Sequence, residues 1–405
     1  MFKSKKLASK TYFNVNYVSY IFIYLAYSSI FVILNNYFPI LFFDVLDINR
    51  IVLAFIQFLA YSVLLLRPVF ASITDKYKIN GYQRKYYIIF SGYSLAIIYF
   101  FMGLNFTNVF VFGLLLFLVY ISSTMLDVST KSLVIDISPT NEIKKKNFFF
   151  IFVGEALGKF FPFILFFFLI NDIYSIGSWK TLIICSSLFF MPLLSILPFI
   201  TESNQLKTQD IEGVKDADYI GLNSPSNSKF TLILLCIFVF LAFSDVIFAF
   251  PFFPYLLNKF GHNNFNLFNF ILIFYFIISI TSSTIGSFLI EKSKPKKVII
   301  ILIPILGIIY LLYPIVPFTF FTILYFLGCS LGTIINLNIS VYIMNYKKGS
   351  KSVYFHLIAS FRHLSTFIFL PLGTLLSNYI ATEYLIIMGT ILLNLSLLPL
   401  ILINL

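Results

Sequence analysis

The sequence predicts an all-α membrane protein with twelve transmembrane helices in two parallel six-helix halves. Of its 405 residues, 60% are hydrophobic and only 11% are charged, whereas soluble domains contain about 25% charged residues. The apolar residues form continuous runs of about 20, which is the length that a helix needs to cross a bilayer. These runs do not alternate with polar residues, which favours helices over a β-barrel.

Twelve apolar runs are long enough to span a membrane. They cover residues 17–43, 51–73, 87–104, 109–136, 147–170, 179–200, 230–257, 267–290, 298–314, 317–345, 353–376 and 383–404. Lys and Arg collect on the cytoplasmic side of membrane proteins. With the N-terminus inside, 21 of the 28 Lys and Arg residues lie in cytoplasmic segments and three (Arg50, Lys180 and Lys259) in outer loops. This asymmetry predicts a multi-pass protein with both termini in the cytoplasm, in either the plasma membrane or an organelle membrane.

One long polar stretch divides the chain. Residues 201–229 contain several acids and a Ser-Pro-Ser-Asn-Ser run at 224–228, a composition typical of flexible linkers. The predicted organisation is a cytoplasmic tail (1–16), a first six-helix half (17–200), a cytoplasmic linker (201–229) and a second six-helix half (230–405).

The two halves share short sequence matches. Leu-Ala-Tyr-Ser-Ser at 25–29 matches Leu-Ala-Phe-Ser-Asp at 241–245, an offset of 216 residues. At the same offset, Asp75-Lys76 after the second span matches Glu291-Lys292 after the eighth. Because the matches occupy corresponding topological positions, they indicate an internal repeat of parallel halves, as found in one class of transporters.

Two charged segments resemble those of known families. After the second span, Arg67-Pro68 is followed by Asp75, Gly81-Tyr82 and Arg84. This loop resembles the signature loop of the major facilitator superfamily, with Ala71 in place of the usual glycine. More narrowly, it resembles the folate–biopterin transporter family.

The fourth span carries the second of these segments. Its Asp127 and Asp136 are similar to acids in the fourth helix of the folate–biopterin transporter family, whereas Lys131 stands where that family has a further acid. The resemblance to the superfamily implies twelve helices and alternating access. It also implies a gating role for Asp75, Gly81, Arg84 and Asp136, which would hold the outward-open state closed on the cytoplasmic side.

Ionisable residues inside spans are costly in lipid and by default mark function. This chain has nine of them: Arg67, Asp127, Lys131, Asp136, Glu155, Lys159, Asp245, Arg362 and His363. Spans three, six, nine and twelve carry none away from their ends, as expected of helices that face lipid around a polar cavity. Arg67 lies close to an inner end and is interpreted as snorkelling to the membrane surface.

The remaining charges have two interpretations. Asp127–Lys131 and Glu155–Lys159 are spaced four residues apart, so each pair either neutralises itself within its helix or serves a binding site. In the second interpretation, Lys159 and Arg362, one in each half, bind an anionic substrate. The candidate substrate-binding residues are Lys159, Arg362, Lys131, Asn35 and Asn336, and the candidate proton-coupling residues are Asp127, Glu155 and Asp245.

The sequence therefore predicts a secondary transporter of a small solute, with protons as the candidate coupling ion. The family resemblance implies an organic anion such as a folate or pterin. Alternatives are a carrier of an amino acid, sugar or other metabolite, and a non-transporting sensor on the same fold. A membrane enzyme is disfavoured, because the outer loops are short and nearly free of charge.

Several partners are not expected. The sequence has no Gly-rich phosphate loop and no metal-ligand spacing, so no cofactor, metal ion or catalytic residue is predicted. The net charge of +12 comes from clusters between spans, which are topology signals and not a nucleic-acid interface. A monomer in a lipid bilayer is the expected form.

Overall fold

The computed structural model describes residues 2–105, 107–137, 141–170, 175–202, 228–260, 293–344 and 351–403, with single residues between 278 and 289. Within this part of the chain, eleven helical spans are long and apolar enough to cross a membrane. The helices are α1 (Phe2–Val32), α2 (Arg50–Lys76), α3 (Lys85–Asn105), α4 (Val109–Ile137), α5 (Asn141–Leu169), α6 (Ile176–Leu194), α7 (Ser228–Ala242), α8 (Ala249–Phe260), α9 (Pro295–Leu312), α10 (Phe318–Met344), α11 (Lys351–Leu376) and α12 (Thr382–Leu395).

Eleven of the twelve predicted spans coincide with these helices, with α7 and α8 together forming the seventh. The eighth predicted span, 267–290, and most of the predicted linker, 201–229, lie outside the described residues. The all-helical membrane architecture is confirmed for the described chain.

Three spans are interrupted near candidate site residues. Past its α-helical part, α1 continues through a π-helical turn, Ile33–Tyr37, and π turns often occur at functional sites. In α2, a 3₁₀ turn, Val63–Leu66, precedes Arg67-Pro68. Between α7 and α8 the chain forms a 3₁₀ turn, Ser244–Ile247.

The break between α7 and α8 has a local cause. Pro251 has no backbone N–H and so cannot donate to the carbonyl of Ile247, four residues earlier. In α8, Pro251 lies in the first turn, where the backbone N–H groups have no partner within the helix in any case. A helix that starts at Ala249 therefore accommodates this proline, whereas a continuous helix does not.

Glycines bring the first and fifth helices of each predicted half into backbone contact. On α5, a methyl group at Gly158 would lie 2.5 Å from the Leu25 carbonyl oxygen of α1. On α11, a methyl group at Gly373 would overlap the Ile247 carbonyl oxygen in the turn after α7. Small residues allow such close packing between membrane helices. A close approach of the first and fifth helices thus occurs in both predicted halves.

The helices without internal charges present large apolar side chains to the outside. Phe90 of α3 is 77% exposed, Ile308 of α9 is 60% exposed, and Leu188 of α6 also lies on the surface. These exposed apolar side chains are suited to contact lipid tails, because lipid tails offer no hydrogen-bond partners and apolar side chains need none.

Polar contacts link α11 to the first six helices at three levels. Near the outer ends, the Arg50 guanidinium donates to the carbonyl and the hydroxyl oxygen of Ser377. Farther in, the Thr374 hydroxyl donates to Gln57 Oε1 at 2.9 Å. Towards the inner side, Ser132 Oγ of α4 lies 3.2 Å from Nε2 of the buried His356.

Candidate functional site

The loop between α2 and α3 reverses at a tight turn. Asn80 and Gly81 have φ angles of 50° and 80°, and Ile79 and Tyr82 exchange two backbone hydrogen bonds of 2.9 and 3.0 Å. Two positive φ angles in sequence define a type I′ turn, for which Asn-Gly is the favoured pair. The turn directs the chain back so that Arg84 reaches the end of α2.

Arg84 connects α2, α3 and α4 at the inner side. Its buried guanidinium donates to the Asp75 carboxylate and the Thr74 hydroxyl of α2. Its Nε donates to Asp136 Oδ2 of α4 at 3.1 Å. Charge-assisted bonds of this kind are about twice as strong as neutral ones. The four residues with a predicted gating role, Asp75, Gly81, Arg84 and Asp136, therefore belong to one connected structure.

Glu202 adds a link that the sequence analysis missed. Its carboxylate accepts hydrogen bonds of 2.9 Å from the backbone amides of Gln83, Arg84 and Lys85. These amides open α3, where a negative charge is stabilised by unpaired N–H groups and the helix dipole. In sequence Glu202 is one of several acids in a polar stretch, and nothing there distinguishes it from its neighbours.

A buried charge cluster in the first six helices centres on Asp127 of α4. The carboxylate, 1% exposed, forms ion pairs with Arg67 of α2 and with Lys131, whose Nζ lies at 2.9 Å. The Tyr24 hydroxyl of α1 also donates to it at 2.7 Å. The intrahelical interpretation of the Asp127–Lys131 spacing thus describes the observed contact. The snorkelling interpretation of Arg67 is wrong, because its side chain is 2% exposed and points to Asp127.

Arg362 is the corresponding cation of the second half. Its Nη1 donates to Asn336 Oδ1 of α10 at 3.0 Å, and its guanidinium lies 4.5 Å from the centre of the Phe243 ring. Among described groups it interacts electrostatically with Glu155 of α5 and with Asp127. Arg362 and Asn336, two candidate substrate-binding residues, thus lie together and face charges of the first half.

Asp245 lies in the turn between α7 and α8, next to Arg362. Its Oδ2 accepts a 3.1 Å hydrogen bond from the Tyr310 hydroxyl of α9. Arg362 interacts with this carboxylate electrostatically, and among the described residues Asp245 takes part in no ion pair within 4 Å. Its surroundings therefore differ from those of Asp127.

Two further candidates occupy separate places in the same layer. Asn35, in the π turn of α1, accepts a 2.9 Å hydrogen bond from the Tyr61 hydroxyl of α2. Lys159, half-buried on α5, interacts electrostatically with Cys329 of α10. Of the other candidate cations, Lys131 is paired with Asp127.

The layer as a whole carries a positive excess. It contains four cations and three carboxylates: Arg67, Lys131, Lys159 and Arg362 against Asp127, Glu155 and Asp245. Charges in a low-dielectric interior interact strongly. An excess of cations over carboxylates among these described residues is suited to hold an anion.

Comparisons with known proteins agree with this architecture. Residues 33–160 match the model of the BT1 family. The fold matches a crystal structure of a mutant of the nucleoside transporter NupG, with a TM-score of 0.67, 12% identity and coverage of 96% of this chain and 99% of that chain. It also matches the human organic anion transporter MFSD10 (TETRAN), with a TM-score of 0.67, 13% identity and coverage of 97% and 99%. No curated protein sequence matches the chain.

The predicted major facilitator fold is therefore confirmed, and so is the resemblance to the folate–biopterin transporter family. The match to the BT1 family includes the α2–α3 loop and the charged part of α4 that carried this resemblance. The chain is a multi-pass membrane protein with the fold of major facilitator transporters. These likenesses favour transport over the enzymatic alternative.

Proposed function

We propose that this chain, a major facilitator-type protein with a segment similar to the BT1 family, is a secondary transporter of a small organic anion. Transport proceeds by alternating access, and folates and pterins are the first substrates to test. The proposal is carried by Arg362, whose guanidinium donates to Asn336 and lies over the Phe243 ring. It stands on α11, the helix that also contacts α2 and α4 of the first half.

Arg362 is the main anion-binding residue in this proposal. Asn336 and the Phe243 ring hold the guanidinium in place without neutralising it. A carboxylate of the substrate would accept hydrogen bonds from this guanidinium, and a bond between charged groups is worth about 1.5–3 kcal/mol. Lys159 would contribute a second positive charge from α5.

The test is uptake of radiolabelled folate and biopterin into liposomes that contain the purified protein, with and without an inward proton gradient. Arg362→Ala and Lys159→Ala are expected to lower the apparent affinity for the anion by about 10- to 100-fold, the equivalent of one charged hydrogen bond. Lys180→Ala, which removes an exposed cation at the start of α6, is the matched control and should transport normally.

The wild-type result decides between the candidate functions. Uptake that needs Arg362 supports the anion carrier. Absence of uptake of both compounds by folded protein would remove folates and pterins as substrates, and a panel of amino acids, sugars and nucleosides would follow. No flux of any member of that panel would favour the non-transporting sensor.

A further inference from the structure

Two carboxylates of the charged layer, Asp127 and Asp245, are held by different kinds of partner. Asp127 is bound by Arg67, Lys131 and the Tyr24 hydroxyl, and it is almost fully buried. A proton on this carboxylate would leave two buried cations without their anion, which is a costly arrangement. Asp127 is therefore held in its ionised form and is poorly suited to exchange protons.

Asp245 is held by neutral groups, namely the Tyr310 hydroxyl and the backbone N–H groups of Asp245 and Val246. The Tyr310 hydroxyl can donate to an ionised carboxylate, and it can donate to or accept from a carboxylic acid. It therefore keeps a partner in both protonation states. Of Asp127 and Asp245, Asp245 is thus the carboxylate that keeps its hydrogen-bond partner when it gains or loses a proton.

The groups around Asp245 are few. Tyr310 and Tyr313 approach from α9, and Arg362 approaches from α11. Cys329 of α10 lies against both tyrosines. From α12, which also packs against the turn, the described ionisable residues Glu383 and Tyr384 lie in the first turn, away from the carboxylate. Among the described groups, Arg362 interacts electrostatically with Asp245, and His363 follows Arg362 on α11.

The position of Asp245 also connects it to helix movement. It lies in the turn that breaks the seventh span, and this turn packs directly on the backbone of α11 at Gly373. The same helix, α11, carries Arg362 and contacts α2 and α4 of the first half. A change of charge at Asp245 therefore acts on the helix that lines the boundary between the halves.

We propose that Asp245 is the proton-binding carboxylate of this transporter, with Tyr310 as the residue that positions it. The proposal rests on the function proposed above and selects Asp245 over Asp127, and the infrared test below separates Asp245 from Glu155. A proton from one compartment binds Asp245 Oδ1 or Oδ2 and is released to the other compartment after the halves rearrange. Asp127 stays ionised throughout and holds Arg67 and Lys131.

Charge counting explains how the proton would be coupled to the anion. With Asp245 ionised, the layer has four cations and three carboxylates, and with Asp245 protonated it has four cations and two carboxylates. The positive excess beside Arg362 rises from one to two charges, so the anion binds more tightly. By linkage, the bound anion favours the protonated form of Asp245 to the same extent.

The first test measures the proton directly and needs no substrate. Infrared difference spectra of the reconstituted wild-type protein between neutral and acidic pH should show the carbonyl stretching band of a buried protonated carboxylic acid. Asp245→Asn should remove this band, whereas Glu155→Gln and Asp127→Asn should retain it. Tyr310→Phe should shift its frequency, because the hydrogen bond from the phenol is lost.

Folding is checked separately for each variant by gel filtration and thermal unfolding. The shift in Tyr310→Phe keeps the test decisive even if Asp127→Asn does not fold. A band that persists in Asp245→Asn, or that disappears in Glu155→Gln, overturns the assignment.

The second test asks whether this proton drives transport. Liposomes that contain the wild-type protein should take up more labelled folate or biopterin with an inward proton gradient than without it. In Asp245→Asn the two uptake rates should become equal. Equal wild-type uptake with and without the gradient overturns the coupling role of Asp245 but still supports the proposed anion transport. Absence of any wild-type uptake removes the proposed function, and with it the coupling role, whatever the infrared result.

Discussion

Arg84 shows how much of the inner-side structure depends on a single side chain. Its guanidinium binds Asp75, Asp136 and Thr74, and its backbone amide binds Glu202. Lysine has the same charge but presents a single compact donor group and not a planar fork. It would not reach acceptors on α2 and α4 together.

We therefore expect Arg84→Lys and Arg84→Ala both to lower the stability of the protein, by about 1–3 kcal/mol. Thermal unfolding of the purified protein in detergent measures this loss. Asp136→Asn combined with Arg84→Ala should lose less than the sum of the two single losses, because both variants break the same bond. Additive losses would show that Arg84 and Asp136 stabilise the protein independently.

Single residues were predictable from sequence where their chemistry is local. Gly81 follows Asn80, and that pair alone predicts the turn that returns Arg84 to α2. The predicted environment of Arg67 was wrong because distance along a helix estimates the depth of a residue in the membrane but does not identify the side chain that it contacts. Its partner Asp127 lies 60 residues away in sequence, and only the packing of α2 on α4 brings them together.

The break between α7 and α8 depends on a residue within the segment and on a contact with another helix. Pro251 explains why the helix does not continue, and the prolines of this segment are visible in the sequence. The helix that packs beside the turn is determined by the tertiary structure, because Gly373 lies more than 120 residues later in the chain. Sequence patterns predict the kink, therefore, but not the contact with α11.

Gly373→Ala tests this contact. The added methyl group would overlap the Ile247 carbonyl oxygen, so that α11 must move away from the turn. Overpacking of this kind costs about 1–3 kcal/mol. Thermal unfolding should show the loss, and transport should fall with it.

Gly332→Ala in α10 is the matched control, because a methyl group there meets no atom within 4 Å. The same substitution should be neutral or stabilise that helix by up to about 1 kcal/mol. Equal effects of the two substitutions would contradict a special contact at Gly373.

The spans of the whole molecule were the most predictable feature. Bilayer thickness sets the length of an apolar run and positive charge marks its ends, so these signals need no knowledge of packing. Eleven predicted spans agree with the described helices for this reason. The boundaries of the halves and the cytoplasmic position of the termini stay predictions.

Alternating access requires contacts between the halves that form and break in turn. The bonds from Arg50 to Ser377 connect the outer end of α2 to α11. We expect Arg50→Ala to favour opening on the outer side. Spin labels on cysteines at Lys180 and Tyr384, both exposed near outer helix ends, should show longer distances in double electron–electron resonance.

The background for this measurement lacks Cys185, Cys236 and Cys329, the three native cysteines. Asn105→Ala is the control, since Asn105 bonds only within α3 at the same side of the membrane among the described contacts. Unchanged distances in Arg50→Ala would show that this contact does not limit opening.

The ends of the first six helices have a consequence for synthesis. Asn16 at the start of the membrane part of α1 exchanges hydrogen bonds with Thr201, and Glu202 binds the first amides of α3. Thr201 and Glu202 are made before any residue of α7. The contacts that join the ends of the first six helices therefore need no residue of the second half, and they can form while the later helices are still being made.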